Sequence, residues 1–322
     1  MRVTANHKYS KKKAKLVCQL AMCRQREGEK KRKRQLVEKL FVGTWNVRTL
    51  LDAEDGIRTE RAQRRSALVA KELKALRLDV VALTEVRKEG TGQLEESMGG
   101  FTIFWKGLDE GIRNHGVGFA VRTKLLNRLV TQPIGVNERL MYFRYQSEHG
   151  KYVTFVCGYA PTMKATDVER EAFYEDLQHI IDAIDQRDVI MLMGDFNARV
   201  GTDFQVYGKC IGKHGVGKCN SNGELLLEFC SRNKLAITNT MFRHRVALKG
   251  TWQHPRSKHW HLIDFVITKQ IDRSVVLDTR VMRSADCSSD HRLVRSRIQL
   301  TYEKKKHRYQ RPLTAKKKES EC

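Results

Sequence analysis

The chain has 322 residues, a length that fits one large domain or two ordinary ones. Its 61 Lys and Arg residues outnumber its 37 Asp and Glu residues, and the formal net charge of +24 predicts a polyanionic partner, with nucleic acid as the first candidate. No stretch reaches the roughly 20 apolar residues of a spanning helix, and no basic amphipathic helix stands out, so these features argue against a membrane as the partner.

The start of the chain lacks the apolar core of a secretory signal peptide, which predicts an intracellular protein. Eight cysteines without regular spacing predict reduced, mostly buried thiols and no disulfide framework. The basic run at residues 30–34 is typical of a nuclear-localisation or phosphate-binding segment, although a simply solvated tail is the alternative. We expect a disordered basic tail at residues 1–40, one domain at 41–300 and a second basic tail at 301–322.

Apolar and β-branched runs, bounded by polar residues or glycine, predict a series of strands. Three segments with apolar residues at helical spacing predict helices. Many strands with a few helices in mixed order predict an α/β sandwich of several layers, in which helices cover the outer faces of two packed sheets. The predicted strands span residues 41–47, 80–84, 101–105, 117–122, 139–145, 153–159, 189–193, 235–238, 262–268 and 293–300, and the predicted helices span 62–76, 169–184 and 222–232.

Polar side chains lie at or near the ends of these apolar runs, where loops on a rigid scaffold commonly present functional groups. A carboxylate within a nearly continuous apolar run costs free energy unless it is paired or binds a metal ion. These positions therefore require one common explanation. They are Asn46, Glu85, Asp195, Asn197, Asp264, Asp290 and His291.

Six short motifs in register resemble the successive motifs of the endonuclease/exonuclease/phosphatase superfamily. They are Thr44-Trp45-Asn46, Thr84-Glu85, Tyr159-Ala160-Pro161, Gly194-Asp195-Phe196-Asn197, Ile263-Asp264-Phe265 and Ser289-Asp290-His291. The surrounding sequence resembles the endonuclease domain of non-LTR retrotransposons and craniofacial development protein 2-like proteins. The resemblance covers about residues 41–300 and implies a four-layer α/β sandwich, with two packed mixed β-sheets flanked by helices. Because no reverse-transcriptase segment follows, we expect the nuclease portion alone.

Hydrolysis of a phosphodiester requires a hard cation, a positioned base and hydrogen-bond donors, because the negative charge of the substrate repels hydroxide. Glu85 and Asn46 offer hard oxygen ligands that suit Mg²⁺ or Mn²⁺. The resemblance implies that Glu85 is the principal metal ligand and that Asp290 or Asp195 completes a second or moving site. Whether one ion or two bind is left open.

A carboxylate that holds one nitrogen of a histidine ring orients the other nitrogen toward water or phosphate, and Asp264 with His291 fits this arrangement. The resemblance makes the pair part of the catalytic apparatus. Either His291 is the general base, or Asp195 deprotonates the water while charged His291 binds phosphate; we assign Asp195 to nucleophile activation. The resemblance further implies that Asn197 positions water and phosphate and that Tyr159 donates to the phosphate or assists the leaving oxygen.

Two positions bear on substrate contact. Thr162 stands after Tyr159-Ala160-Pro161, where the superfamily often carries Asn, and it supplies a shorter hydroxyl group to the phosphate. Asn222, before Gly223, stands where related nucleases often place a substrate-binding Asn, although this alignment is loose.

Three other features favour structural interpretations. Residues 212–219 are similar to a phosphate-binding P-loop, but Cys219 replaces the Ser or Thr that holds Mg²⁺ and no buried strand precedes them, so they predict a basic surface loop. Three histidines lack the paired spacing of a zinc site, and two tryptophans predict packing rather than base stacking. These residues are His254, His259, His261, Trp252 and Trp260.

These observations together predict a divalent-metal-dependent endonuclease that hydrolyses DNA by in-line attack of water and binds it in a salt-dependent way. The preference for DNA over RNA depends on the retrotransposon resemblance alone, and activity at abasic sites is left open. The alternative is a non-cutting nucleic-acid- or chromatin-associated protein whose basic tails do the binding. The oligomeric state cannot be predicted from these features.

Overall fold

The first strand begins at Leu36, which places it partly in the region expected to be a tail. The computed structural model describes residues 36–52, 64–109 and 113–302. Residues 36–40 belong to this strand, so the boundary predicted between residues 40 and 41 is wrong. The remaining parts of the predicted tails, 1–35 and 303–322, lie outside the described residues.

The described residues form fifteen strands and four α-helices, joined by short 3₁₀ turns and loops. In chain order they are β1 Leu36–Asn46, α1 Arg65–Ala75, β2 Val80–Thr84, β3 Thr91–Glu96, β4 Phe101–Lys106, β5 Val117–Arg122, β6 Ile134–Asn137, β7 Leu140–Gln146, β8 Tyr152–Tyr159, α2 Asp167–Ala183, β9 Val189–Asp195, α3 Phe204–Tyr207, α4 Ser221–Arg232, β10 Leu235–Ile237, β11 Trp252–Gln253, β12 Trp260–His261, β13 Asp264–Lys269, β14 Val276–Met282 and β15 Leu293–Tyr302.

The strands assemble into two large sheets and one small hairpin. The seven-stranded sheet has the order β14-β15-β1-β2-β5-β4-β3, the six-stranded sheet has the order β10-β13-β9-β8-β7-β6, and β11 pairs with β12. Each large sheet contains a parallel pair, β1 with β2 and β8 with β9, as well as antiparallel pairs. Both sheets are therefore mixed, as the resemblance implied.

The two sheets pack face to face over an apolar core. Phe119 of the seven-stranded sheet meets Phe143 of the six-stranded sheet edge-on, with ring centroids 4.8 Å apart, and Phe143 stacks on Phe155 at 5.1 Å. All three rings are fully buried. Burial of each ring removes apolar surface from water and contributes about 1.5–3 kcal/mol to folding. These contacts therefore hold the two sheets together.

Helices cover the outer faces and complete the four layers. Helix α1 packs Val69, Ala70 and Leu73 on the seven-stranded sheet, whereas α2 and α4 join the core on the outside of the six-stranded sheet. Helix α2 starts with a capping box in which Thr166 and Glu169 satisfy each other's backbone N–H groups. No helix in the described part of the chain combines the length and the apolar character needed to cross a membrane.

The start of α4 lies directly against the loop that follows β9. A Cβ atom at Gly223 would stand 1.9 Å from the carbonyl oxygen of Arg199, so only glycine allows this approach. The side chain of Asn220 caps the helix by accepting from Gly223 N and also accepts from Arg199 N. The loop after β9, which carries part of the predicted site, is thereby fixed to a helix.

Candidate active site

Strand register brings three of the predicted polar residues side by side on the six-stranded sheet. Asp195 ends β9 and is paired with Tyr159 at the end of parallel β8 and with Asp264 at the start of antiparallel β13. On the facing sheet, Asn46 pairs with Thr84, and Glu85 follows directly. The two sheets therefore present their polar strand ends at one edge of the sandwich.

Glu85 is held by three groups. Its Oε1 atom accepts from the amide of Asn46 at 2.9 Å and from the hydroxyl of Tyr159 at 3.1 Å, while Oε2 accepts from Nη2 of Arg87 at 2.7 Å. Glu85 and Arg87 have φ angles of +54° and +52°, a region that non-glycine residues seldom occupy. This unusual backbone turns the carboxylate into the site, as observed for strained residues at functional centres.

Asn46 joins the carboxylates of the two sheets. Its Nδ2 atom donates to Glu85 Oε1 and, at 3.0 Å, to Asp195 Oδ2. Its Oδ1 atom accepts from the backbone N–H of Arg48, so the oxygen predicted to bind a metal ion faces the backbone in this arrangement. Asn46 therefore contributes a donor that ties Glu85 to Asp195.

His291 lies between Asp264, the residue it was predicted to pair with, and Asp195. Its Nδ1 atom is 3.0 Å from Asp264 Oδ2, and its Nε2 atom is 3.9 Å from Asp195 Oδ2. Burial by itself lowers the pKa of His291, but the charge and hydrogen bond of Asp264, with the charge of Asp195, outweigh it and raise the pKa to about 9. The imidazole is therefore protonated near neutral pH.

Asp195 is nearly inaccessible to solvent, and its carboxyl group has a raised pKa. Burial, followed by the charge of Asp264, raises the pKa of Asp195 to about 7, although His291 and hydrogen bonds from Asn46 and Asn197 oppose the change. A carboxyl group with a pKa near neutrality can exchange a proton with water under physiological conditions. Asp195 is thus suited to accepting a proton.

Two asparagines brace the loops around Asp195. Asn197, at φ +48°, donates from its side chain to Ala160 O at 2.9 Å. Asn222 is buried, and its Nδ2 atom donates to Pro161 O at 3.0 Å and to Asn197 O at 3.1 Å. These hydrogen bonds of Asn222 link the loops after β8 and β9, which gives it a supporting role that differs from the substrate contact predicted for it.

Asp290 and Thr162 lie at the periphery. Asp290 is exposed, and its Oδ2 atom accepts from the indole N–H of Trp252 at 3.0 Å instead of joining the buried group formed by Asp195, Asp264 and His291. Thr162 is exposed as well, and its hydroxyl accepts from Lys164 N at 3.3 Å. The structure places neither residue in direct contact with the carboxylate cluster.

Several supporting residues were not predicted from the sequence. Thr251 is buried, and its hydroxyl accepts from the backbone N–H groups of Ile263 and Asp264, which fixes the start of β13. Arg139 lies over the ring of Tyr159, 5.4 Å from its centroid, while Arg87 pairs with Glu85. Only Arg87 carried a sequence signal, because it stands two residues after a motif carboxylate.

The features interpreted as structural do not form separate ion sites in the described part of the chain. Residues 212–219 form a loop without a preceding strand, as predicted. Among the described residues, the one group of three or more His, Cys, Asp or Glu ligands is Asp195, Asp264 and His291. His254 and His261 instead contact Trp252, at ring distances of 5.5 and 5.9 Å.

A cavity of about 700 Å³ opens beside Asn197. Trp252, Ile263, Met163 and Pro255 give it apolar walls, and Arg199 supplies a cation. Trp252 also forms an isolated β-bridge with His291, so the cavity begins next to the catalytic candidates. Its size and mixed lining are those of a small-ligand site.

The cluster has the donor set for a hard divalent cation. Asp195, Asp264 and His291 offer ligand atoms within 4.8 Å of one another, and the amide of Asn46 links the carboxylate of Glu85 to that of Asp195. The Oδ1 atom of Asp264 is buried without a hydrogen-bond partner among the described groups. Oxygen-rich sites of this kind suit Mg²⁺ or Mn²⁺.

The structure is a two-sheet α/β sandwich with a cluster of carboxylates and one histidine at one edge. The chain matches the model of the Endonuclease/Exonuclease/phosphatase family over residues 43–291. It therefore belongs to that family, a superfamily of nucleases and phosphatases.

Three comparisons place the chain among known proteins. It is 31% identical over 273 residues to craniofacial development protein 2 of Bos taurus, with 85% of this chain and 43% of that protein covered. The chain thus spans less than half the length of this curated relative. The fold is similar to the endonuclease domain of TRAS1, a telomere-specific non-LTR retrotransposon, with a TM-score of 0.53, 15% identity and coverage of 81% and 98%. It is also similar to the 3′ phosphatase NExo from Neisseria bound to product DNA hairpin, with a TM-score of 0.52, 17% identity and coverage of 80% and 98%.

Proposed function

We propose that the chain is a divalent-metal-dependent endonuclease that hydrolyses DNA phosphodiester bonds. The observation that carries the proposal is the convergence of Glu85, Asn46, Asp195, Asp264 and His291 in one hydrogen-bonded cluster. These residues come from strand ends far apart in the sequence, and family membership makes phosphate-ester hydrolysis the expected chemistry.

The protonation of His291 indicates that this residue binds phosphate and that other residues of the cluster bind the metal ion. Because its raised pKa keeps His291 protonated and its Nδ1 faces Asp264, the ring offers a positive charge rather than a metal-binding lone pair. This supports a role for His291 in binding a phosphate oxygen. The metal ion is then assigned to Glu85 and Asn46, and a bound Mg²⁺ or Mn²⁺ would supply Lewis acidity to the phosphate. Asp290 keeps a proposed role only in a second or moving site.

Asp195 is proposed as the proton acceptor for the attacking water. Its pKa of about 7, raised by burial and then by repulsion from Asp264, matches the proton transfer that hydrolysis requires near neutral pH. Tyr159, whose pKa is raised by burial and by Glu85, stays protonated and can donate to a phosphate oxygen or the leaving group. Asn197 orients the loop beside Asp195 and offers its amide to the phosphate.

DNA is the proposed substrate because of charge and of the neighbouring cavity. A net charge of +24 favours a long polyanion over a small phosphate ester. The cavity beside Asn197 is large enough for a nucleotide base, and Trp252 offers an aromatic face with Arg199 nearby. The DNA hairpin bound by the Neisseria relative and the retrotransposon origin of the TRAS1 domain support DNA over RNA.

Nicking of supercoiled plasmid in Mg²⁺ tests the proposal. Glu85→Gln and His291→Asn should each lower the nicking rate at least about 100-fold, because each removes charge that acts on the phosphate. The matched control is Glu95→Gln, the same chemical change at an exposed position on β3, which should nick at the natural rate.

Equal nicking by all four proteins would refute the assignment. Salt-sensitive DNA binding without nicking would instead support the alternative, a non-cutting nucleic-acid- or chromatin-associated protein. A nuclear location, proposed from the basic run at residues 30–34, is tested by microscopy of a fluorescent fusion and of its Lys/Arg-to-Gln variant.

A further inference from the structure

A cavity of about 270 Å³ lies next to the larger one, of about 700 Å³, that opens beside Asn197. Arg199 and His261 line both, so the two cavities are neighbours. The other walls of this smaller cavity come from residues 216–218 of the basic loop and from residues 259–262, at the end of the β11–β12 hairpin. None of the catalytic candidates lines it. The larger cavity therefore connects Asn197 with the walls of the smaller one.

Both walls of the smaller cavity are held in place by neighbouring segments. Val216 of the basic loop forms an isolated β-bridge with Gly201, which follows β9. On the hairpin, the ring of Trp260 stacks with the guanidinium of Arg292, whose Cζ atom is 3.2 Å from the ring centroid. A site whose walls are already fixed loses little conformational freedom when a ligand binds.

Basic side chains line the smaller cavity, and no carboxylate does. Arg199 and Lys218 carry full positive charges, and His259 and His261 add imidazole groups. Arg199 is half-buried, and its guanidinium has no hydrogen bond or ion pair with any residue of the described ranges. Burial lowers the pKa of His261, and the charge of Arg199 lowers it further. A bound anion would relieve this repulsion and pair with the free guanidinium.

The chemistry and the size of the smaller cavity both suit a phosphate group. Arginine, lysine and imidazole supply N–H donors, whereas the oxygens of a phosphodiester are acceptors. The planar donors of Arg199 can meet two phosphate oxygens at once. A volume of about 270 Å³ is below the roughly 300–1,000 Å³ of sites that enclose a whole ligand molecule. The cavity therefore fits a phosphate that belongs to a longer chain better than it fits a free nucleotide.

We propose that the smaller cavity binds a backbone phosphate of the DNA strand, next to the nucleotide that occupies the larger cavity. This inference rests on the proposed function, because that function brings DNA to Asn197 and the larger cavity. Arg199 and Lys218 pair with the phosphate, and His261 donates to it from between the two cavities. The contact fixes the register of the strand on the catalytic cluster and adds to the attraction of the basic segments outside the sandwich.

DNA binding in EDTA tests the pocket without requiring cleavage. Fluorescence anisotropy of a labelled DNA duplex compares the full-length natural chain with Arg199→Gln, Lys218→Gln and the double variant. Each single variant should bind at least about fivefold more weakly. The double variant should reduce the magnitude of the slope of log K against log salt by about 0.9, the value for one phosphate. Because both cations meet the same phosphate, their effects on affinity should be less than additive.

Lys213→Gln is the matched control for these variants. It makes the same chemical change on the same loop, but Lys213 lies outside the smaller cavity, with its Nζ over the ring of Phe204. Its DNA affinity and salt dependence should be those of the natural chain. Equal effects of Lys213→Gln and Lys218→Gln would show a diffuse basic surface instead of a pocket and would overturn the inference.

Melting temperatures separate a binding role of Arg199 from a folding role. Since its guanidinium has no hydrogen bond or ion pair within the described residues, Arg199→Gln should melt at or above the temperature of the natural chain. Added duplex should raise the melting temperature of this variant less than that of the natural chain. A variant that melts lower and still binds the duplex with natural affinity would contradict the proposal.

Inorganic phosphate distinguishes a strand phosphate from a free one. At equal concentration of phosphate groups it should not displace the duplex, because it lacks the strand that continues into the larger cavity. Displacement that depends on Arg199 would assign the cavity to a free phosphate ligand and would overturn the inference, as would a fall in slope of about 1.8, the value for two separate phosphates. A natural chain that binds DNA through Arg199 but does not nick plasmid would refute the endonuclease proposal alone.

Discussion

Asp195 and His291 show how one buried cluster gives neighbouring side chains different protonation. Burial is the first cause of the raised pKa of Asp195, and the charge of Asp264 adds to it by repulsion, whereas the same charge raises the pKa of His291 by attraction. Near neutral pH the same negative charge therefore favours a proton-accepting carboxyl group and a positively charged ring.

The stability of the metal-free protein should depend on pH through His291. A pKa of about 9 in the folded state, above the ordinary 6.5, contributes stability that is complete below pH 6.5 and is lost as the pH rises through 9. Between pH 7 and 9.5, the free energy of unfolding in EDTA should fall by up to about 3 kcal/mol. Urea titrations across this range measure it.

The matched comparison uses two Asn variants. His291→Asn should be less stable than the natural chain at pH 7, and its free energy of unfolding should fall much less between pH 7 and 9.5. His149→Asn, in the turn between β7 and β8, should show the same dependence of stability on pH as the natural chain. The raised pKa of Asp195 lowers the free energy of unfolding as the pH rises from about 4 to about 7. Its effect therefore falls below the pH range of this test. Parallel declines in all three proteins would show that the pKa of His291 is not raised.

The sequence predicted the central site residues better than the hydrogen bonds they make. Glu85, Asp195, Asp264 and His291 were candidates because they lie at or near the ends of apolar runs and belong to motifs that resemble those of the superfamily. The direction of the Asn46 amide depends on local backbone geometry, and the bracing role of Asn222 depends on how two distant loops meet. Neither kind of information is present in residue spacing.

Among the elements, buried strands and amphipathic helices were predictable, whereas three of the four edge strands of the large sheets, β3, β6 and β14, were not. Each of the ten predicted strands and three predicted helices is present, β2 and β5 with the predicted bounds and the others with shifted ends. Strands β3 and β6 alternate exposed with partly buried residues at sheet edges, and β14 interrupts its apolar residues with Asp278 and Arg280. Their pairing comes from neighbouring strands rather than from their own apolar pattern.

Helix α4 provides a test of how an element positions the site. Alanine favours a helix over glycine, yet Gly223→Ala should destabilise the protein by about 1–3 kcal/mol, because the added Cβ meets the Arg199 carbonyl. The displaced loop after β9 should also slow plasmid nicking. Glu224→Ala, an exposed change one residue later, is the control for helix propensity. Greater stability in Gly223→Ala would mean that the close approach is absent in solution.

At the scale of the molecule, charge is distributed unevenly. Residues 1–35 and 303–322 hold 21 of the 61 Lys and Arg residues but only five of the 37 acidic ones, while α2 is acidic. Electrostatic attraction to DNA is therefore concentrated outside the central sandwich, and the outer face of α2 opposes it. Binding and cleavage are expected to depend on different parts of the chain.

This separation predicts the effect of neutralising the basic run at residues 30–34. Replacing its five Lys and Arg residues with Gln should lower the slope of log K against log salt for DNA binding by up to about 0.9 for each phosphate that the run neutralises in the natural chain. The nicking rate at saturating DNA should remain that of the natural chain, because the catalytic cluster is unchanged. A comparison variant removes three positive charges from the sandwich itself. It replaces with Gln the residues Lys71, Lys74 and Arg77, which lie on or just after α1. An unchanged slope in the first variant would assign phosphate binding to the sandwich, and a lower saturated rate would show that the run also shapes the active complex.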